Sequence, residues 1–155
     1  MSVARFAVGV RDDLQQRCVR ILDAAPAGSV LVSFAESPRV AAPSYLTVQL
    51  DATTHILPRP EYLECVNHSC EPNVAFDMAQ MALVALRDLT ANEELVYFYP
   101  STEWEMAQPF TCSCGAAACL GLIDGAARLP REVLERYALS PFVRASLDAH
   151  DRLRD

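Results

Sequence analysis

The chain contains no lysine. All 13 of its basic residues are arginine, set against 20 aspartates and glutamates, for a formal net charge of −7. Such a balance does not suit a generic polyanion binder, so direct nucleic-acid binding is not expected, while a basic partner is compatible with it. No apolar run of about 18 residues occurs, so no conventional membrane-spanning helix is expected, and no charged-then-apolar leader opens the chain. The expectation is a soluble intracellular protein, cytoplasmic or nuclear, without a membrane partner. Internal repeats, low-complexity tracts and a linker long enough to divide the chain are also missing, so the 155 residues read as one unit. With 52% hydrophobic residues the chain can build a core and is not a disordered segment.

The first third reads as short strands, Arg5–Val10, Cys18–Leu22, Ser29–Phe34 and Tyr45–Leu50, separated by turns such as Ala25-Pro-Ala-Gly28. Residues 12–22 carry a competing helical pattern, since Leu14, Cys18, Ile21 and Leu22 share one helical face; strand is preferred. A polar stretch, Asn67-His-Ser-Cys-Glu-Pro-Asn73, precedes two further strands, Met81–Leu86 and Glu94–Tyr99. Polar turns between strands are where chemistry is often placed. From Leu129 the pattern becomes helical, with Pro130 in a first turn and Ser140-Pro141 as the cap and first turn of a second helix. These helices are expected to cover the sheet.

Cys112-Ser-Cys-Gly-Ala-Ala-Ala-Cys119 puts three thiols in C-x-C-x4-C spacing, with Gly115 allowing a tight turn. Three thiolates need a fourth ligand for a closed tetrahedral zinc site, and Cys70 in the polar stretch is the evident one. Buried free thiols or disulfides are the alternative, but three cysteines beside alanines and a glycine are poor core material. Cys18 and Cys65, on apolar segments, read as small buried hydrophobes. His55 and His150 belong to no motif and are expected to be exposed or incidental, and Glu93 and Glu94 read as a solvated turn. Tyr97 and Tyr99 share one face by period two and could form a plain half-buried sheet surface; Trp104 and Phe110 could be ordinary core aromatics.

The Asn67–Asn73 stretch resembles the signature of SET-domain protein lysine methyltransferases, Cys112–Gly121 resembles their post-SET motif, and Ala91-Asn-Glu-Glu-Leu-Val-Tyr-Phe-Tyr99 resembles the segment that carries their catalytic tyrosine. Ala25-Pro-Ala-Gly28 and Ser44-Tyr-Leu46 match as well, so the resemblance spans residues 15–121. It implies a mainly β fold (β+α): small curved sheets with a pseudoknot, a SET domain over 1–108, a post-SET zinc segment over 109–123, and a C-terminal helical appendage over 124–155. It implies zinc on Cys70, Cys112, Cys114 and Cys119, and S-adenosylmethionine contacted by Asn67, His68, Phe110 and Leu120. Tyr99 becomes the catalytic tyrosine, and Tyr45, Tyr97 and Trp104 the walls of a substrate channel.

The implied reaction is methyl transfer to an amine, most simply a lysine side chain of a protein or peptide. The amine must be neutral to attack, and a free lysine near pKa 10.4 is mostly protonated at pH 7; a dry aromatic channel lowers that value and a phenol can orient the nitrogen. A tyrosine rather than phenylalanine at Tyr97 implies monomethylation. Some positions depart from the family pattern. Gln16, Arg17 and Cys18 stand where a G-x-G is usual, Glu64-Cys65 replaces an Arg-aromatic pair, Phe98 replaces an acidic or amide residue, and Phe34 replaces a tyrosine. The stretch from Asp51 to Asn67 is short, which reduces the groove that reads a peptide. Two alternatives therefore stay open: a small amine metabolite as substrate, or a non-catalytic zinc-stapled interaction module. The missing lysine precludes automethylation at a lysine side chain, although an Arg- and Ala-rich composition also follows from coding bias.

Overall fold

The computed structural model describes residues 4–11 and 15–154. Strands β1 (Phe6–Arg11) and β2 (Gln16–Ile21) form an antiparallel hairpin with Phe6 opposite Ile21. Strand, not helix, is therefore the outcome at Cys18–Ile21; Leu14, which the helical pattern needed, lies outside the described residues. A three-stranded sheet has the order β3-β9-β8, from Val30–Ser33, Ala82–Ala85 and Val74–Asp77. A second has the order β4-β6-β5, from Arg39–Val40, His55–Ile56 and Val48–Gln49. Strand β7 (Asn67–His68) lies parallel to β10 (Val96–Tyr97), and β11 (Phe110–Thr111) is antiparallel to β12 (Leu122–Ile123). Two helices follow, α1 (Arg131–Leu134) and α2 (Pro141–Arg154).

One apolar core joins the small sheets. Val19, Ile21, Phe34, Ile56, Val74, Leu83 and Leu95 all sit in it at 1% exposure or less. Val74, Ala75 and Phe76 are buried in succession, as expected of a strand covered on both faces. Asn73 laces the parallel crossing together: its N–H donates to the Val96 carbonyl (3.1 Å), its Oδ1 accepts the Val96 N–H (2.9 Å), and its Nδ2 donates to the Glu94 carbonyl (2.8 Å). This crossing brings the polar stretch and the tyrosine segment side by side.

Several expectations are corrected. The Tyr45–Leu50 strand contracts to Val48–Gln49, because the Thr47 hydroxyl accepts the Ser44 N–H and donates to the Ser44 carbonyl, turning the chain instead. Glu94–Tyr99 contracts to Val96–Tyr97, and Tyr99–Ser101 forms a 3-10 turn where Pro100 cannot donate to a ladder. The polar stretch begins as strand β7 rather than as a turn. His55 is buried in β6 at 6% exposure, not exposed. Glu93 and Glu94 are no solvated turn: they pair with Arg87 and Arg11, and their side chains are only 18% and 17% exposed.

The C-terminal helices do not cover a sheet either. Leu134, Val143 and Leu147 form a second core with Phe98 and Ala126, and Tyr137 stacks on Phe98 with ring centroids 3.6 Å apart. Phe98 thus has a specific partner where the family pattern has a polar residue. Ser140 caps α2, its Oγ accepting the Val143 N–H at 3.1 Å. Gly125 adopts φ +98, and a Cβ there would lie 2.5 Å from the Trp104 carbonyl oxygen; only glycine lets this segment close on residues 103–105.

Candidate active site

A cleft of about 610 Å³ opens between the β1–β2 hairpin, the β7–β10 crossing and the cysteine segment. That volume lies within the range of small-molecule sites. Tyr97, Tyr99, His68 and Phe110 line it together, with the Tyr99 ring centroid 4.8, 5.2 and 5.8 Å from those of Tyr97, His68 and Phe110. The Tyr99 N–H donates to His68 Nδ1 at 3.1 Å, which leaves the imidazole hydrogen on Nε2, 3.4 Å from Cys70 Sγ. Burial pushes His68 down to about 4, so it stays neutral and keeps this tautomer. His68 therefore ties Tyr99 to the cysteine cluster.

Asn67 Oδ1 accepts from Gln16 Nε2 (2.9 Å) and its Nδ2 donates to the Arg17 carbonyl (2.7 Å). The segment standing where a G-x-G is usual thus anchors the polar stretch, and both side-chain ends of Asn67 are engaged by the protein. Burial pushes the Tyr99 phenol up to about 12, and burial likewise raises Tyr97. Both remain neutral and act as hydrogen-bonding groups.

The Sγ atoms of Cys70, Cys112, Cys114 and Cys119 lie within 4.8 Å of one another. A tetrahedral zinc with bonds near 2.3 Å needs sulfurs about 3.8 Å apart, so the set fits zinc. The local backbone is arranged for thiolates: the Leu120 N–H donates to Cys70 Sγ (3.4 Å) and the Cys114 N–H to Cys112 Sγ (3.3 Å). Burial, together with the neighbouring thiols of Cys114 and Cys119, pushes Cys70 up to about 11, and a cation among the sulfurs reverses that preference. Gly115 turns the loop with φ +77. Cys18 and Cys65 are buried away from the cluster.

Not all of the expected residues meet at the cleft. Tyr45 reaches its rim but is 71% exposed. Trp104 does not line it; the ring turns to the second core and meets His150 edge-on at 5.9 Å. Leu120 packs on that core too, and approaches the site only through its N–H on Cys70.

Sequence reasoning missed Glu103, the only carboxylate among the described residues that line the cleft. No periodicity or motif marks it, because it is buried by a turn rather than by a strand or helix face. It is 9% exposed, and burial raises it to about 7 against the opposing pull of the Gln49 N–H and the Thr102 hydroxyl. A carboxyl raised in the folded state adds stability below its unfolded value, and loses that contribution as pH rises through the folded one. From 4.5 to about 7, at 1.36 kcal/mol per unit, the loss is on the order of 3 kcal/mol above pH 7. Glu103→Gln is therefore expected to raise the melting temperature at pH 8 much more than at pH 5 in the cofactor-free protein. Equal shifts at both pH values would contradict the assignment.

A mainly β fold of small sheets, a parallel crossing that sets a tyrosine beside a histidine, and a four-cysteine cluster at the same cleft define the SET-domain class of methyltransferases. The family model described as the SET domain matches residues 16–100. The chain belongs to that family, whose methyl donor is S-adenosylmethionine. Among its relatives, the protein named "Methyltransferase flvH" of Aspergillus flavus is 40% identical over 127 residues, covering 81% of this chain and 71% of that protein. An H3 lysine-36-specific histone-lysine N-methyltransferase of Chaetomium globosum is 37% identical over 85 residues, 47% of this chain but 9% of that one. The solved structure of KRYPTONITE with mCHG DNA and SAH shares the fold, with a TM-score of 0.58 and 23% identity over 76% of this chain and 29% of that one. Among the described residues, no helix is long and apolar enough to cross a membrane.

Proposed function

We propose that the protein transfers a methyl group to the side-chain amine of a lysine in a protein or peptide, with a single methylation favoured. The observation that carries this reading is the aromatic corner at Tyr99, where Tyr97, His68 and Phe110 surround one neutral phenol in a cleft shared with the cysteine cluster. S-adenosylmethionine supplies a methyl group on a sulfonium when bound, and Asn67, His68 and Phe110 are the residues proposed to bound its site. Tyr99 orients the amine by its hydroxyl, and the rings exclude water so that a neutral amine is favoured. The net charge of −7 suits a basic peptide.

A second reading, a small amine metabolite, is favoured by the connection from β6 to β7, which holds only the 3-10 turn Glu61–Cys65 and offers little groove. Transfer of labelled methyl groups into cell lysate, split into macromolecular and small-molecule fractions, tests both. Label in the macromolecular fraction is expected; label confined to small molecules selects the second reading. Calorimetry with S-adenosylhomocysteine tests the family's cofactor, and no binding by zinc-loaded protein would reduce the chain to a non-catalytic module.

Tyr97 is proposed to limit the product. Its phenol is buried and its ring is in contact with that of Tyr99, centroids 4.8 Å apart. A hydroxyl there holds water and restricts rotation of a partly methylated amine. Tyr97→Phe is expected to move the product from the monomethyl toward higher states, read by mass spectrometry of the methylated product; an unchanged distribution counts against the role.

A further inference from the structure

Glu103, the only carboxylate among the described residues that line the cleft, is firmly held there. Oε2 is held twice, by the Gln49 N–H at 2.9 Å and the Thr102 hydroxyl at 2.7 Å. Gln49 is itself fixed, its Oε1 accepting the Trp104 N–H at 3.0 Å. The Glu103 N–H donates to the Tyr99 carbonyl (3.1 Å), and its own carbonyl accepts the Ala126 N–H (2.9 Å). The side chain is thus built into the turn that begins with Tyr99.

Oε1 is different. It accepts no hydrogen bond among the described residues, and it is not sealed off, because the one buried side-chain atom without a partner is His55 Nδ1. Oε1 therefore opens on the cleft that Glu103 lines. Among the described residues the carboxylate has no ion-pair partner: Arg11, the guanidinium at this cleft, is bonded through Nε to both oxygens of Glu94 at 3.0 Å. The other titratable groups among the described residues that line this space are the phenols of Tyr45, Tyr97 and Tyr99, the imidazole of His68, and the thiols of Cys112 and Cys114. A buried carboxylate without a counter-ion is costly, and an ammonium brought in by a substrate removes that cost.

We propose that Glu103 receives the ammonium group of the substrate at Oε1 and takes its proton, so that the cleft selects a cationic amine and holds it as a neutral nucleophile beside Tyr99. The inference rests on reading the cleft as an amine methyltransferase site. One N–H bond breaks and one O–H bond forms, the nitrogen recovering its lone pair. When that pair attacks, the N–C bond forms as the C–S bond breaks, the sulfur keeps the electron pair, and Glu103 returns its proton to water at the cleft mouth. In water an amine near 10.4 does not yield its proton to a carboxylate. In a dry site the ion pair must be desolvated whereas the neutral acid and amine carry no charge, and burial has already raised Glu103 to about 7.

The test is calorimetry with n-butylammonium, the common end of lysine and of simple amines, on zinc-loaded protein saturated with S-adenosylhomocysteine. Titrations from pH 6 to 9, in buffers of different ionisation enthalpy, count the protons released. Wild type is expected to release nearly one proton on binding at pH 6, about half at pH 7 and almost none at pH 9, since only the protonated fraction of Glu103 must be displaced. Glu103→Gln is expected to bind the probe at least tenfold more weakly at pH 7, with proton release that does not vary with pH, while keeping its S-adenosylhomocysteine affinity within twofold. Wild-type release that is constant across the range overturns the proposal without any variant, as does Glu103→Gln affinity within twofold of wild type. If wild type methylates lysate yet fails these tests, Glu103 alone is misassigned; if wild type binds no S-adenosylhomocysteine, the methyltransferase reading falls and this proposal with it.

Discussion

Tyr99→Phe is expected to slow methyl transfer by about 10²–10³-fold while leaving S-adenosylhomocysteine affinity within twofold, the scale of losing one positioned hydrogen-bonding group at a reacting centre. The substitution removes only an oxygen. The ring stays packed by Tyr97, His68 and Phe110, and the backbone N–H still donates to His68 Nδ1. The phenol makes a single long contact, 3.5 Å to the Val66 carbonyl, so little folding stability goes with it. Because burial raises this phenol to about 12, it stays neutral at working pH and its loss should lower the rate by the same factor from pH 6 to 9. A deficit that grew with pH would instead mean that Tyr99 acts as a base. Single-turnover rates with labelled donor make the measurement, and a variant retaining more than half the wild-type rate would remove Tyr99 from the reaction.

What could be read from the residues depended on how far the signal reached along the chain. Strand β9 lies in an apolar run bounded by turn residues and was legible; β2, with two arginines and a glutamine, was legible only against a competing helical pattern over 12–22. Of the two-residue strands, β4, β6, β7, β11 and β12 were not, since a pair of residues has no period and is made a strand only by its partner, while β5 and β10 were read as parts of longer strands. Three of the cysteines were legible from their C-x-C-x4-C spacing and Cys70 from its polar stretch, whereas Glu103 was invisible because its burial is imposed from outside, by Gln49 and by the segment that Gly125 lets close on it. Trp104 shows the same limit. The family resemblance assigned it to the channel, but the helices beyond the family pattern draw its ring toward His150. The connection between those helices also explains Phe98: an apolar residue there is a departure only until Tyr137 is seen to stack on it.

The second large effect is expected from the metal. Cys112→Ser should lower bound zinc from about one per chain to less than a tenth, open residues 109–123 to protease, and cut methyl transfer more than about 100-fold. The reason is that little else holds this segment. Its regular structure is the two-residue pairing of β11 with β12, closed by the Cys112 N–H on the Gly121 carbonyl at 2.7 Å, and most of its residues are at least partly exposed. Zinc binding in small sites supplies folding free energy of about 10 kcal/mol or more, so site and segment stand or fall together. Phe110 and Thr111 form a wall of the cleft, and Cys70 is bonded to the histidine that positions Tyr99; loss of metal therefore reaches the aromatic corner by two routes. Chelation of wild type should reproduce the defect and zinc should reverse it, while Cys112→Ser stays inactive in excess zinc. Cys18→Ala is the control: it removes a buried thiol outside the cluster and should lose stability but keep its metal. Full zinc content in Cys112→Ser, measured by atomic absorption, would show that a different set of ligands holds the ion.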